Sequence, residues 1–406
     1  MRSSVLVDVR DLSVLGATGS VGRQALDVAR RNPGRFRVRG LAAGSDAAGL
    51  AALAVEFGVE AIALAVGSRE VARAALARAA AAQGVPDPVR EILVGPDAAA
   101  QLAARPADIV LNAVTGAVGL GATLAALDAG TDVALANKES LIIGGELVLA
   151  AARATGARLL PVDSEHSALW QCLRAGARGE VDRLVITASG GPFRGMDRAQ
   201  LEAVTPAQAL AHPTWDMGAV ITTNSATLVN KGLEVIEAHL LFGIAYGDID
   251  VVVHPQSQIH SMVQFRDGAT IAQVSPPDMR LPIAYALGLE ERIPGAAPAN
   301  DWSAAQEWTF EAVDHAAFPA LGLAIAAGRR GGTAPAAYNA ANEVLVEAFH
   351  AGAVSFPQIA DGLAAVLAQH ADAEATRASV LAADASARAA AAAWARTADE
   401  NGRGAA

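Results

Sequence analysis

The stretch "LSVLGATGSVGRQALDVARR" (Leu12–Arg31) decides how the rest of the chain is read. A short apolar run leads into Gly16, Gly19 and Gly22, spaced G-x-x-G-x-x-G. Apolar residues then recur at helical intervals until "NPG" at Asn32–Gly34, which predicts a helix over Val21–Arg31. Such a strand, turn and helix can do one particular thing. Glycines let the backbone turn tightly and approach a pyrophosphate, and the helix start offers unpaired N–H groups and partial positive charge. Thr18 and Ser20 add hydroxyl donors. A glycine turn by itself is as often structural. In the first strand–helix unit of an alternating chain it reads as a dinucleotide turn.

The alternation continues outward from there. "FRVRGLAAG", "AIALAV", "EILVG", "DIVLNAV", "DVALAN" and "ARLLPV" read as strands, separated by alanine-rich stretches long enough for helices. This predicts an α/β fold with a parallel, Rossmann-like sheet covered on both faces. The second strand ends in Ala42-Ala43-Gly44-Ser45-Asp46. Small residues there leave room for a ribose 2′-phosphate and Ser45 can donate to it, whereas Asp46 opposes it unless its side chain caps the next helix. "LANKES" places Asn137, Lys138 and Glu139 at another strand end, facing the ligand crevice, although a lysine there can be merely solvated.

After Pro161 the pattern changes. "RLVITAS", "AVITTN", "DIDVVVH", "SMVQF" and "TIAQV" are strand candidates of an α+β domain, with a loop-rich stretch from Gly190 to Gly218. The expected layout is a nucleotide-binding domain over 1–160, a catalytic α+β domain over 161–290 with a flap at 190–218, a linker over 291–317 and a helical domain over 318–406. In "PVDSEHSALWQCL", an extended Pro161–Glu165 would point Asp163 and Glu165 to one side. Close carboxylates call for a cation between them, and oxygen ligands suit Mg²⁺ or Mn²⁺; capping of a helix start is the plainer alternative. "TTNSATLVNKGLEVIEAHLLF" reads as a helix from about Ser225 that sets Asn230, Lys231 and Glu234 apart from its apolar stripe, either as ligands or as a solvated face. "TASGGPF" offers Ser189 and free N–H groups to an anion. "AHPTWDMG" puts His212 and Trp215 in the long loop. His254 and His260 could pair on zinc, but they lie six residues apart, unsuited to one helix face or a usual zinc finger, and are expected to have structural roles or to support a site from behind.

Composition sets outer limits. The chain has 406 residues, a hydrophobic fraction of 52% and a net charge of −11. Core material is ample, and the acidity argues against general nucleic-acid binding while leaving room for a local anion pocket. The single cysteine, Cys172, permits no intramolecular disulfide. The longest uncharged run, Ile109–Leu127, is broken by Asn112, Thr115 and glycines, so no membrane span is expected. A cytoplasmic location is the expectation.

In this order, "GATGSVG", "LANKESL", "DSEHSA", "TASGGPF", "HPTWDMG", "NSATLVNKGLEVIEAH" and "HPQSQIHSMVQF" resemble the 1-deoxy-D-xylulose 5-phosphate reductoisomerase family. The resemblance implies NADPH- and Mg²⁺- or Mn²⁺-dependent rearrangement and reduction of a phosphorylated small molecule, 1-deoxy-D-xylulose 5-phosphate, to 2-C-methyl-D-erythritol 4-phosphate, in a homodimer. It implies Asp163, Glu165 and Glu234 as metal ligands. Lys138, Ser164, Glu165, Ser189, His212, Trp215, Ser225, Asn230, Lys231 and Glu234 become the substrate set, with Ser189, Ser225, Asn230 and Lys231 on the phosphate. Lys138 and His212 join the three acids as catalytic residues. Thr18, Gly19, Ser20, Val21, Gly44, Ser45, Asp46, Asn137, Glu139 and Gly218 become the NADPH set, and Trp215 and Met217 lie on the flap. Ser45 and Asp46 stand where many members carry a basic residue and Asn, which should narrow the preference for NADPH. Two other readings differ in class. A semialdehyde dehydrogenase-like enzyme would need Cys172 as nucleophile, and a nucleotide-sensing protein would have no use for three acids.

Overall fold

The computed structural model describes residues 9–211 and 218–404. His212, Trp215 and Met217 lie outside the described residues. The chain forms two compact units. One holds residues up to Ser140, Val148–Asp163 and Met279–Ala297; the other holds Leu141–Leu147, Ser164–Asp278 and Pro298–Ala406.

In the first unit, strands and helices alternate as the sequence predicts. They run β1 (Arg10–Leu15), α1 (Ser20–Arg31), β2 (Phe36–Ala43), α2 (Ala47–Phe57), β3 (Ala61–Leu64), α3 (Arg69–Gln83), β4 (Glu91–Val94), α4 (Ala98–Ala103), β5 (Ile109–Asn112), α5 (Leu120–Asp128), β6 (Asp132–Leu135), α6 (Lys138–Gly144), α7 (Glu146–Thr155) and β7 (Leu159–Pro161). The sheet is parallel throughout, in the order β4-β3-β2-β1-β5-β6-β7. Strand order reverses at β1, so the loops leaving β1 and β5 part and open a crevice at their carboxyl ends. Strands buried on both faces read as continuous apolar runs: all of Ile109–Asn112 is buried.

The second unit contains α8 (Ser164–Leu173), β8 (Val181–Ala188), α9 (Arg198–Leu201), α10 (Pro206–Ala209), α11 (Ala219–Ala226), α12 (Val229–Phe242), β9 (Ile249–Val253), β10 (Ile259–Phe265) and β11 (Thr270–Val274). After α13 (Arg280–Leu287), which belongs to the first unit, come β12 (Glu311–Ala312), α14 (Ala320–Arg330), α15 (Ala334–His350), α16 (Phe356–Gln369) and α17 (Arg377–Gly404). Its sheet runs β11-β10-β8-β9-β12, with β8 and β9 parallel and the other pairs antiparallel. One continuous apolar core joins β8 and β10 to α12, α14, α15 and α16.

Three sequence expectations change. "AVITTN" is not a strand: it forms α11, where Gly218 starts the helix and the Thr222 hydroxyl donates to the Gly218 carbonyl at 3.0 Å. Burial of Thr222, Thr223, Asn224 and Ala226 outweighs the β preference of the threonines. The long helix expected from Ser225 breaks at Leu228, which sits at φ 60° and separates α11 from α12. The segment Met279–Ala297 packs in the first unit, where α13 buries Ile283, Tyr285 and Leu287. Arg280 reaches Asp27 at 3.5 Å and Glu291 pairs with Arg35 at 2.9 Å, tying both ends of the segment down.

Candidate active site

The phosphate turn follows directly from its glycines. The Gly19 N–H donates to the Gly16 carbonyl at 3.0 Å, closing the turn. Gly22 lies so close to the Gly16 carbonyl that a Cβ there would collide with backbone, so the helix start can approach the turn only with glycine at this place. Gly19 is the N-cap of α1 and brings no side chain to its first N–H groups. Gly19 and Ser20 are exposed, and Thr18 is half-buried. At the end of β2, Gly44, Ser45 and Asp46 are also exposed. Asp46 caps α2, its Oδ1 accepting from the Gly49 N–H at 2.8 Å. Its carboxylate is thereby directed to the helix start.

The loops at β5 and β6 are built by asparagines. Asn112 is fully buried and donates to the Gly119 carbonyl at 3.0 Å and to the Thr123 hydroxyl at 2.9 Å. Asn137 donates to the Gly116 carbonyl at 3.0 Å and to Glu139 Oε2 at 2.8 Å, while accepting from the Ser140 N–H at 3.1 Å. Asn137 and Glu139 thus tie the start of α6 to the loop after β5. Lys138 turns to Asp163, with Nζ to Oδ2 at 2.6 Å and both side chains mostly shielded.

The extended pair expected at Asp163, the last residue of the Val148–Asp163 stretch of the first unit, and Glu165, in the second, takes another form. Strand β7 stops at Pro161 and α8 starts at Ser164, so Glu165 lies in the first helical turn. The Ser164 hydroxyl donates to Glu165 Oε2 at 2.6 Å. The other carboxylate oxygen accepts from Lys231 Nζ at 2.8 Å, and the same ammonium binds Glu234. Asn230 donates to Glu234 Oε1 at 2.5 Å. A carboxylate oxygen of Glu165 and one of Glu234 lie within 4.8 Å of each other. Burial alone would push the Lys231 ammonium toward neutrality, but the two carboxylates overcome it and hold its pKa above the usual lysine value. The break at Leu228 makes this cluster possible, because it starts a new helix immediately before Asn230 and Lys231.

Ser189 follows β8, and its hydroxyl accepts from the Gly191 N–H at 3.3 Å. Gly191 has φ 64°, and a Cβ there would come 2.9 Å from the Ala226 Cα. The Ser-Gly-Gly loop therefore rests on the last turn of α11, which carries Ser225. Gly218 is the N-cap of α11.

One buried residue found no role at the sequence level. His166 is wholly buried, with Nε2 2.8 Å from the Glu234 carbonyl and Nδ1 3.4 Å from Glu237 Oε2. It ties α8 to the backbone of α12 beside Glu234. A histidine between buried helices, facing an acid on "LEVIEAH", is the signal that could have found it. His254 is structural, as expected: Nε2 accepts from the N–H groups of Gln258 and Ile259 at 3.2 and 3.1 Å, leaving Nδ1–H to donate to the Thr309 carbonyl at 3.0 Å. His260 is buried, with Nε2 3.1 Å from the Ser275 carbonyl. Cys172 is buried within α8, a poor place for a nucleophile.

A doubly wound sheet with an open phosphate turn, joined to a unit bearing a carboxylate–ammonium cluster and an anion loop, defines a nucleotide-dependent oxidoreductase acting on an anionic substrate. Family models of 1-deoxy-D-xylulose 5-phosphate reductoisomerase match residues 12–145, its C-terminal domain residues 159–242, and the DXP reductoisomerase C-terminal domain residues 274–390. The chain belongs to the 1-deoxy-D-xylulose 5-phosphate reductoisomerase family. A relative so named from Paenarthrobacter aurescens is 57% identical over 362 residues, covering 89% of this chain and 91% of the relative. One from Kitasatospora griseola is 56% identical over 357 residues, covering 88% and 92%. A solved reductoisomerase from Zymomonas mobilis in complex with NADPH superimposes with a TM-score of 0.87 at 41% identity, over 95% of this chain and 99% of that one. A DOX-P reductoisomerase in complex with NADPH, fosmidomycin and magnesium gives 0.87 at 37% identity, over 96% and 98%.

Proposed function

We propose that this chain converts 1-deoxy-D-xylulose 5-phosphate to 2-C-methyl-D-erythritol 4-phosphate with NADPH and Mg²⁺ or Mn²⁺, and that the residues above carry the reaction. The observation that carries the reading is the Lys231 ammonium held between Glu165 and Glu234. Two shielded acids converge where positive charge is required, and their hard oxygens suit Mg²⁺ or Mn²⁺. Asp163, two residues before Glu165 in the chain, is the third proposed ligand. A bound divalent cation supplies Lewis acidity to the substrate carbonyl, and NADPH supplies the hydride.

The chain's own residues do the rest. Ser189, Ser225, Asn230 and Lys231 bind the phosphate. Lys138 holds the Asp163 carboxylate in place, and the Ser164 hydroxyl does the same for Glu165. Asn230 orients Glu234 from one turn away on α12. Thr18, Gly19, Ser20, Val21, Gly44 and Ser45 bind the nucleotide, with Asn137 and Glu139 forming the crevice rim; Gly218 is assigned to the cofactor from the family motif. His212 and Trp215 are assigned to the substrate on the same ground.

Of these proposed contacts, Thr18, Gly19, Ser20, Val21, Gly44, Ser45, Asn137, Glu139, Lys138 and Asp163 belong to the first unit, and Glu165, Glu234, Gly218 and the phosphate set to the second. A homodimer is proposed from the family motifs. No helix among the described residues is long and apolar enough to cross a membrane. A cytoplasmic location, without nucleic-acid partners, accords with the net charge of −11 and the lone buried cysteine.

The test is Glu234→Gln. Turnover should vanish while NADPH binding, followed by nucleotide fluorescence, stays within about twofold of wild type, because the nucleotide turn is built elsewhere. Fully retained metal-dependent turnover would remove Glu234 from the site.

A further inference from the structure

Helix α15 is apolar along its buried side, yet it carries Asn342 among Ala340, Ala341, Leu345 and Val346. Asn342 is completely buried. Its amide nitrogen donates to Asn224 Oδ1 at 2.9 Å, and among the described residues no donor reaches its own Oδ1. An amide placed in a core without using its full hydrogen-bonding capacity is a poor device for stability alone, since an apolar side chain of that size would fill the space at less cost. Two turns further along α15, His350 Nε2 lies 2.8 Å from the Thr223 hydroxyl. Adjacent residues of α11 are therefore gripped at two points along one helix of the C-terminal region.

What α11 carries gives these contacts a purpose. Ser225 follows Asn224 directly, and the last turn of α11 forms the floor under Gly191 of the Ser-Gly-Gly loop. The floor is rigid in one respect: Gly191 has space only for hydrogen above the Ala226 Cα. Any shift of α11 must displace Ser225 and push on the loop that carries Ser189. The break at Leu228 makes α11 a separate short helix with no continuous helical backbone into α12, so its seat has to be fixed by side chains.

We propose that Asn342 and His350 are positioning residues for the substrate phosphate: through Asn224 and Thr223 they fix the seat of α11, and with it the places of Ser225 and Ser189. The C-terminal helical region thereby takes part in substrate recognition without touching the substrate. This inference rests on the phosphate assignment made above for Ser189 and Ser225.

Asn342→Leu, Asn224→Ala, their double variant and Ser225→Ala test it in the full-length enzyme with saturating NADPH and Mg²⁺. Asn342→Leu should raise KM for 1-deoxy-D-xylulose 5-phosphate, and the inhibition constant of inorganic phosphate, by about tenfold, because small displacements of positioning groups carry large kinetic penalties. Its kcat should fall less than about twofold, and KM for NADPH should move less than KM for the sugar phosphate, because Gly218 alone of the proposed nucleotide contacts belongs to α11. The double variant should be no worse than the more affected single one, because both changes remove one hydrogen bond. Unchanged phosphate inhibition in Asn342→Leu, alongside weakened inhibition in Ser225→Ala, overturns the inference. Unchanged inhibition in Ser225→Ala overturns the phosphate assignment itself. Should Asn342→Leu fail to fold, His350→Leu carries the same test, and His350→Gln, which keeps a partner for Thr223, should restore phosphate affinity. Equal loss in the Leu and Gln variants also overturns the inference.

Discussion

Replacing Lys231 by Met removes the ammonium that bridges Glu165 and Glu234, and it keeps the length of the side chain. The ammonium side chain is 5% exposed, Glu234 1% and Glu165 18%. Removing one partner from a buried ion pair costs about 3–5 kcal/mol, because the remaining charge is left in a poorly solvated place. Glu165 has some access to water and Glu234 keeps the Asn230 amide, so the lower end applies, about 3 kcal/mol. For a unit of this size each kcal/mol moves Tm by about 2–4 °C, which gives a fall of roughly 6–12 °C in metal-free buffer. The loss should shrink as pH is lowered far enough to protonate one of the two acids, since the repulsion then disappears. It should also shrink with added Mg²⁺: binding at about 100 times Kd adds about 2.7 kcal/mol to the form that binds, and without the competing ammonium the variant should bind the ion more tightly, and so gain more, than wild type. Thermal unfolding of wild type and variant in chelator, then across a Mg²⁺ titration, reads both effects. A fall of less than about 2 °C in chelator, or a deficit that Mg²⁺ leaves unchanged, would refute the view that Lys231 neutralises a divalent-cation site.

Two further outcomes are expected. Asp46 is exposed and caps α2 through one carboxylate oxygen, and Asn can do the same, so Asp46→Asn should leave Tm unchanged while strengthening NADPH binding by about 1 kcal/mol or less; isothermal titration with NADPH and NADH checks it, and a wild-type preference for NADH would mean that Asp46 serves the ribose hydroxyls instead. Burial holds the His260 imidazole below its ordinary pKa of 6.5, against the opposing pull of Glu165, so the unfolded chain takes up this proton more readily than the folded one. The stability it contributes is present above about pH 6.5 and falls as pH drops below that value. Tm should therefore decline less between pH 7.5 and 5.5 in His260→Asn than in wild type, and equal declines would contradict the assignment.

Much of the first unit was legible because its physics is local. A buried parallel strand needs a short apolar run, and a phosphate turn needs glycine at fixed places, so β1, its turn and α1 could be read from Leu12–Arg31. The second unit was harder, for reasons that lie in its packing. The β-branched run in Ala219–Asn224 looks like a strand, and only burial of its polar residues, with Asn342 and His350 gripping the helix from far along the chain, makes it helical. Leucine gives no sign of a left-handed backbone, so the break at Leu228 could not be seen, yet it sets the register of Asn230, Lys231 and Glu234. The candidate site residues were legible one by one, as acids, amides and a lysine in an otherwise apolar chain. Their joint arrangement was not, because Lys231 meets Glu165 across 66 positions of sequence. The placement of Met279–Ala297 in the first unit was hidden as well: the partners of Arg280 and Glu291, Asp27 and Arg35, lie some 250 residues before them.

The account stands most directly on one assay of the purified full-length protein: NADPH oxidation with 1-deoxy-D-xylulose 5-phosphate as substrate, the product identified by mass and NMR, in Mg²⁺ and then in chelator. The account predicts one 2-C-methyl-D-erythritol 4-phosphate formed for each NADPH consumed, turnover lost in chelator, and turnover restored by Mg²⁺ or Mn²⁺. Product formation that continues undiminished in chelator, or NADPH oxidation that yields no 2-C-methyl-D-erythritol 4-phosphate, would contradict it.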